Sequence, residues 1–246
     1  MPAIRIITGI VLRQIPYGEA EKLFIFITPT GKQKAFAKGV KKITSKNAAH
    51  LELFTHANIQ LVEGHSDRKI IAGAVSKHRF DEFAYDIEKY ALAMFACEMI
   101  DVFAQENDDT AYNELLNFFL YLKTKQYTKN IVLHLLNRLT FVAGVNPQLQ
   151  NCVACDAEIT PEDLFYSYSD GGIVCRICKQ EIETIHIDLL TLKILRNIYR
   201  ETNKPLTVEL PLGHVKIVAE ILFNQIMFYV DQKIKTWRMV QDVVLK

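Results

Sequence analysis

The chain of 246 residues lacks the motifs by which many enzyme classes are recognised. It has no Walker-type glycine loop, no H-E-x-x-H pair and no nucleophile elbow, so phosphate-loop, zincin and serine-hydrolase chemistry have no anchor in it. Its seven histidines, at 50, 56, 65, 78, 134, 186 and 214, are scattered singly and read as structural or solvent-facing. No uninterrupted apolar run reaches membrane-spanning length and no targeting segment opens the chain, so the expectation is a soluble protein of the cytoplasm with no membrane partner. Internal repeats and low-complexity linkers are also missing. Half of the residues are apolar, which permits a substantial core and room for two domains.

Cysteine is scarce, but four of the five are placed in a pattern. Cys152-Val153-Ala154-Cys155 is followed, after nineteen residues, by Cys175-Arg176-Ile177-Cys178. Each pair offers two sulfurs from one tight turn, and a hairpin between the pairs brings the turns together around a cation. The hairpin is legible: Phe165-Tyr166-Ser167-Tyr168 alternates, Ser169-Asp170-Gly171-Gly172 is turn chemistry, and Ile173-Val174 leads back. Cys152, Cys155, Cys175 and Cys178 are therefore expected to hold one structural Zn2+. A redox pair would stand alone near a thioredoxin-like unit, and disulfides suit a secreted chain. A catalytic zinc keeps an open position, and no H-x-E precedes the first pair. Cys97, inside the apolar run from Tyr90 to Phe103, reads as a core residue.

The net charge of +1 conceals an uneven distribution. Residues 1–80 carry 13 Lys/Arg against 5 Asp/Glu, a net of +8; residues 81–150 carry 5 against 10, and residues 151–246 carry 11 against 13. A basic end on a nearly neutral chain points to a polyanion met at that end.

That basic third reads as strands. Ile4 to Arg13, Leu23 to Thr28, Lys32 to Ala37, Ala57 to Val62 and Lys69 to Val75 are short β-prone runs separated by turns such as Pro29-Thr30-Gly31. Five strands in so short a segment suggest a small barrel of the OB type, whose face and loops bind single strands. Lys38 to Lys46 carries four lysines and no acid, and Lys32 and Lys34 lead into it. Lysines track phosphates without reading bases. Arg13, Lys32, Lys34, Lys38, Lys41, Lys42 and Lys46 are the candidate phosphate contacts, with Tyr17 and Phe36 as candidates for stacking.

From Asp81 the texture is helical, with helices expected over Glu82–Ala104, Ala111–Lys123, Asn130–Ala143, Leu189–Tyr199 and Val215 to about Ile234. Asn107 to Thr110 reads as the cap of the second helix, Gly144 as the end of the third. The predicted class is α+β multidomain: a five-stranded OB-fold barrel over 1–80, then an all-α domain over 81–246 with the four-cysteine zinc module inserted at 148–182.

This arrangement resembles the RecO family of bacterial recombination mediators, also described as DNA repair proteins. The resemblance rests on Gly9-Ile10-Val11-Leu12-Arg13, Tyr17-Gly18-Glu19, Thr28, Gly31-Lys32, Ala37-Lys38-Gly39, Ser45-Lys46 and Phe54 in order. A second set is Gly144-Val145-Asn146-Pro147, the first cysteine pair, Phe165, Gly171-Gly172 and the second pair, which is similar to the zinc-bearing branch. The chain departs in the basic loop, where the family often has Arg and Pro near Lys41 to Thr44. The resemblance implies a non-enzymatic role: binding single- and double-stranded DNA, annealing complementary strands, and working with RecR to place RecA on strands coated by SSB. It also implies docking of the acidic, apolar C-terminal tail of SSB on the helical domain. Lys123, Lys125, Lys129 and Arg138, the only Lys/Arg between Tyr90 and Cys175, are the candidates for that contact.

Two other classes stand beside this one. An RNA-binding OB protein with a zinc knuckle would share the basic barrel but prefer structured RNA. An enzyme using the acidic helical segment would need a catalytic motif, and Asp108-Asp109 reads as a helix cap.

Overall fold

A computed structural model describes residues 4–19, 21–40, 47–63, 68–104, 109–124, 129–161, 164–200 and 205–246. The chain divides into two compact units, 1–125 and 126–246. The change of texture at Asp81 falls inside the first.

The first unit is built on five strands: β1 (Ile4–Tyr17), β2 (Glu21–Thr28), β3 (Gly31–Ala37), β4 (His56–Glu63) and β5 (Lys69–His78). They close into a barrel in the order β1-β2-β3-β5-β4, with β1 returning to β4. This is an OB-fold barrel. β1 serves both neighbours: Ile4 to Ile10 pair with β4, and Ile10 to Tyr17 pair with β2 after a register shift between Val11 and Arg13. A shift of this kind bends a long strand and lets a small sheet close. β3 meets β5 in parallel at Phe36 and Ile70.

Alternation sorts the side chains of β2 and β3. Phe24 and Phe26 stack inside the barrel and meet Ala35, Ala37, Ile59 and Ile71. Ile25 and Ile27 point the other way and are buried as well, because helices of the same unit cover that side. Hence β2 reads as a continuous apolar run.

Those helices are α1 (Ile87–Phe103) and α2 (Thr110–Lys123). A short 3-10 turn, Asp81–Tyr85, precedes α1. The true start of α1 is the cap at Asp86, whose carboxylate accepts from the backbone N–H of Glu88 and Lys89. The expected start at Glu82 is therefore early by one short turn. Residues 105–108, including Asn107 and Asp108, lie outside the described residues; Asp109 precedes α2 without a side-chain capping bond. Phe54, Phe80, Phe83 and Phe119 interlock, with centroids 5.2 to 6.0 Å apart, and tie the barrel to both helices. Cys97 is buried in α1.

The second unit contains α3 (Ile131–Ala143), β6 (Leu164–Ser167), β7 (Gly172–Val174), β8 (Ile185–Ile187), α4 (Leu189–Arg200), α5 (Leu212–Phe228) and α6 (Trp237–Val243). α3 packs on α4 and α5. It ends at Gly144, whose φ of 71° suits a residue without Cβ, and the N–H of Val145 closes the end on Thr140 O. α5 stops at Phe228, short of the expected Ile234; Trp237 then opens α6 and stacks on Phe223 at 4.3 Å. No described helix is long and apolar enough to cross a membrane.

Candidate nucleic-acid interface and metal centre

The predicted cysteine hairpin is present as β6 and β7, and β8 adds a third strand in the order β7-β6-β8. Along β6, Phe165 faces Cys152 and Val174, while Tyr166 is fully buried and donates to Gln225 Oε1 of α5 at 2.8 Å. The turn is pinned by Ser167 and Ser169 hydroxyls donating to Asp170. The loop leading to the first cysteine pair lies against β7: Ile173 N–H donates to Gln148 O, and Val153 N–H to Ile173 O. Gly172 permits this, since a Cβ there would stand 2.2 Å from Gln148 O.

The result is a four-sulfur cluster. The Sγ atoms of Cys152, Cys155, Cys175 and Cys178 all lie within 4.8 Å of one another, in a set that can hold a metal ion. A tetrahedron with metal–sulfur bonds of about 2.3 Å has edges of about 3.8 Å, and the sulfurs of Cys155 and Cys175 are 3.8 Å apart. Cys175 N–H points at Cys152 Sγ at 3.3 Å. Burial pushes the Cys152 thiol up, but the amides of Cys175, Ala154 and Cys155 outweigh it and hold the group at about 6. Cys178 is pushed the other way, to about 12, by the sulfurs of Cys155 and Cys175. Four sulfurs this close repel one another as thiolates, and a shared cation would relieve that repulsion.

On the barrel, β3 sets the geometry of the basic face. Lys32, Lys34 and Phe36 alternate outward, and Lys38 follows the strand. Lys34 and Lys38 are exposed, and neither pairs with an acid among the described residues. Arg13 and Lys32 converge instead on Asp101 of α1, at 3.0 and 3.2 Å. Lys41, Lys42 and Lys46 lie outside the described residues. Near Phe36 stands a group that sequence reasoning missed. Arg68, just before β5, lays its guanidinium 3.8 Å from the Phe36 centroid and donates to Glu21 Oε2 at 2.6 Å.

On the side of β4 that faces α2, His56 bonds the Tyr112 hydroxyl at 2.9 Å, and its Nδ1 is buried without a hydrogen-bond partner among the described residues. Burial, with Lys77 and His78 nearby, lowers its pKa to about 4.

The cations considered for a partner tail are dispersed. Lys123 ends α2 and pairs with Glu82 at 3.4 Å. Lys125 is outside the described residues. Lys129 precedes α3 and donates to Lys246 O, while Arg138 lies about two and a half turns further on, its guanidinium 4.8 Å from the half-exposed Phe141 ring.

Comparison with known proteins gives a consistent picture. A family model described as recombination protein O, N terminal, matches residues 4–76, and one described as recombination protein O, C terminal, matches residues 84–238. A DNA repair protein RecO of Roseiflexus sp. is 32% identical over 176 residues, which cover 69% of this chain and 60% of that protein. Proteins of the same name from Dehalococcoides mccartyi and Desulforamulus reducens are 29% identical over 231 residues and 27% over 242. These matches cover 86% and 93% of this chain, and 89% and 90% of the two relatives.

Proposed function

The chain belongs to the RecO family of DNA repair proteins, which are non-catalytic mediators, and on that premise we propose that it grips DNA strands through the outer face of its barrel and brings complementary strands together. The observation that carries this is the pair of exposed lysines, Lys34 on β3 and Lys38 just after it, in the +8 segment with no described acid to neutralise them. Two strands repel one another through their phosphates, and annealing requires that this repulsion be screened without reference to sequence. Arg13 and Lys32 add to the face when a phosphate replaces Asp101, and Lys41, Lys42 and Lys46 extend it. Both single- and double-stranded DNA offer the phosphates this needs.

Family membership supports the rest of the role: work with RecR, contact with the SSB tail, and through these the placing of RecA on coated strands. Lys129 and Arg138, both in the second unit, are the cations we assign to the acidic tail. Cys152, Cys155, Cys175 and Cys178 suit one zinc ion, which when bound supplies folding energy to its module and no chemistry. The setting for this work is the cytoplasm, at the nucleoid.

The test is annealing of complementary oligonucleotides, bare or coated with SSB. The wild-type chain should accelerate both reactions. A Lys34→Glu, Lys38→Glu variant should lose acceleration in both, and a Lys129→Glu, Arg138→Glu variant only with coated strands. Undiminished annealing by the first variant would sink the proposal.

A further inference from the structure

Phe36 lies on the outer face of β3, about 7 Å along the strand from Lys34 and two residues before Lys38, which follows the strand. Leu23 of β2 is its cross-strand neighbour. Tyr17, half-exposed at the end of β1, turns the edge of its ring to Phe36, with centroids 5.0 Å apart and planes at 66°. Arg68 closes the group from above: its guanidinium lies 3.8 Å from the Phe36 centroid and 5.3 Å from that of Tyr17. Among the described residues that guanidinium is anchored through Glu21. Its Nε is buried and has no hydrogen-bond partner among the described residues. A buried donor left without an acceptor is unfavourable, typically by about 1–3 kcal/mol, and native folds retain few of them.

Resting on the reading of the barrel as the DNA-gripping unit, we propose that Phe36, Tyr17 and Arg68 form a seat for one unpaired base of a single strand. The base enters between the Phe36 ring and the Arg68 guanidinium, so that ring, base and cation stack in a row. Arg68 moves outward while tethered to Glu21. A guanidinium is flat and stacks on π faces, and every base has such a face, so the seat tolerates any sequence. Three features select a strand as occupant over an apolar peptide. Lysines precede and follow the ring in the chain, Lys34 on β3 and Lys38 just after it, where the phosphates next to a seated base would lie. The lid is a cation with an unused donor, which suits an anionic, acceptor-rich guest. And the seat lies where the β1–β2 connection meets the start of β5, a place OB folds use for oligonucleotides. A duplex keeps its base faces inside its own stack, so the seat adds a preference for single strands that a phosphate grip alone does not have.

The experiment compares oligothymidine with an abasic oligonucleotide of equal length, each titrated against the full chain at several salt concentrations. The wild type should bind oligothymidine tighter by roughly 5- to 150-fold, the span that one stacked base supplies. Phe36→Leu keeps apolar bulk against Leu23 but removes the flat ring. It should bring the ratio close to one while leaving abasic affinity and its salt dependence intact. If Phe36→Leu lowers the melting temperature appreciably, Tyr17→Leu, at the strand end, is read in its place and should also reduce the ratio. A wild-type ratio near one, or equal weakening of both probes by Phe36→Leu in a fully folded protein, would overturn the proposal. A large ratio with salt-independent affinity would support the seat and remove the phosphate grip, so the two readings fail separately.

Discussion

Five strands of the barrel enclose a continuous apolar core in which Val11, Phe24, Phe26, Ile59, Leu61 and Ile71 are buried, whereas the three short strands beside the cysteines gather a smaller cluster around Cys152, Phe165 and Val174. The barrel has the means to hold its shape by excluding water from its own side chains. The cysteine module draws four sulfurs within 4.8 Å of one another and places one of them, Cys178, where its neighbours oppose ionisation. That geometry suits a bound cation. The basic face is thus carried by the unit with the larger apolar core, not by the one with the sulfur cluster.

The largest expected effect divides the two regions. Removing the metal with a chelator, or Cys175→Ser, withdraws folding free energy on the order of 10 kcal/mol from the module. Hydrogen exchange should then show lost amide protection from Leu164 to Val174 and retained protection from Phe24 to Ile27. Protection lost in both would make the regions one cooperative unit and break the comparison. Next in size, Phe26→Ala opens a cavity in the barrel and should lower stability by about 3–5 kcal/mol in denaturant unfolding. Bound metal per chain should stay unchanged.

A smaller effect sharpens the account of the barrel. His56 has a folded pKa of about 4 against an ordinary 6.5, so between these values the unfolded chain binds the extra proton. Stability from this group is complete above pH 6.5 and is lost as pH falls toward 4, by at most about 1.4 kcal/mol per pH unit. His56→Gln should flatten that part of the wild-type stability profile. An unchanged slope would mean that the imidazole is not held neutral by the fold.

Much of this organisation was legible in the sequence, for physical reasons that differ from place to place. The cysteine spacing reports a site directly, because few other needs put four sulfurs in that pattern. The barrel strands could be read from β-prone runs and turn residues. What stayed hidden depended on distant partners. Nothing local in Arg13 or Lys32 shows that both reach Asp101, 88 and 69 residues away. Nothing local sets Arg68 apart from the other cations of the basic segment; the fold puts its guanidinium over Phe36. The start of α1 had a readable signal in Asp86 as a capping residue, which the acidic, aromatic stretch before it obscured. β8 is only three residues long and is made a strand by pairing with β6, a tertiary cause with little local signature.

The claim that the barrel grips phosphates is tested most directly by the salt dependence of its affinity for a single-stranded oligonucleotide. The logarithm of the association constant should fall linearly with the logarithm of salt concentration, and Lys34→Glu, Lys38→Glu should reduce the steepness by about 0.7 for each contact removed. The variant's stability should stay within about 0.5 kcal/mol of wild type, as for other exposed substitutions. A slope identical in variant and wild type, with both proteins folded, would contradict the account.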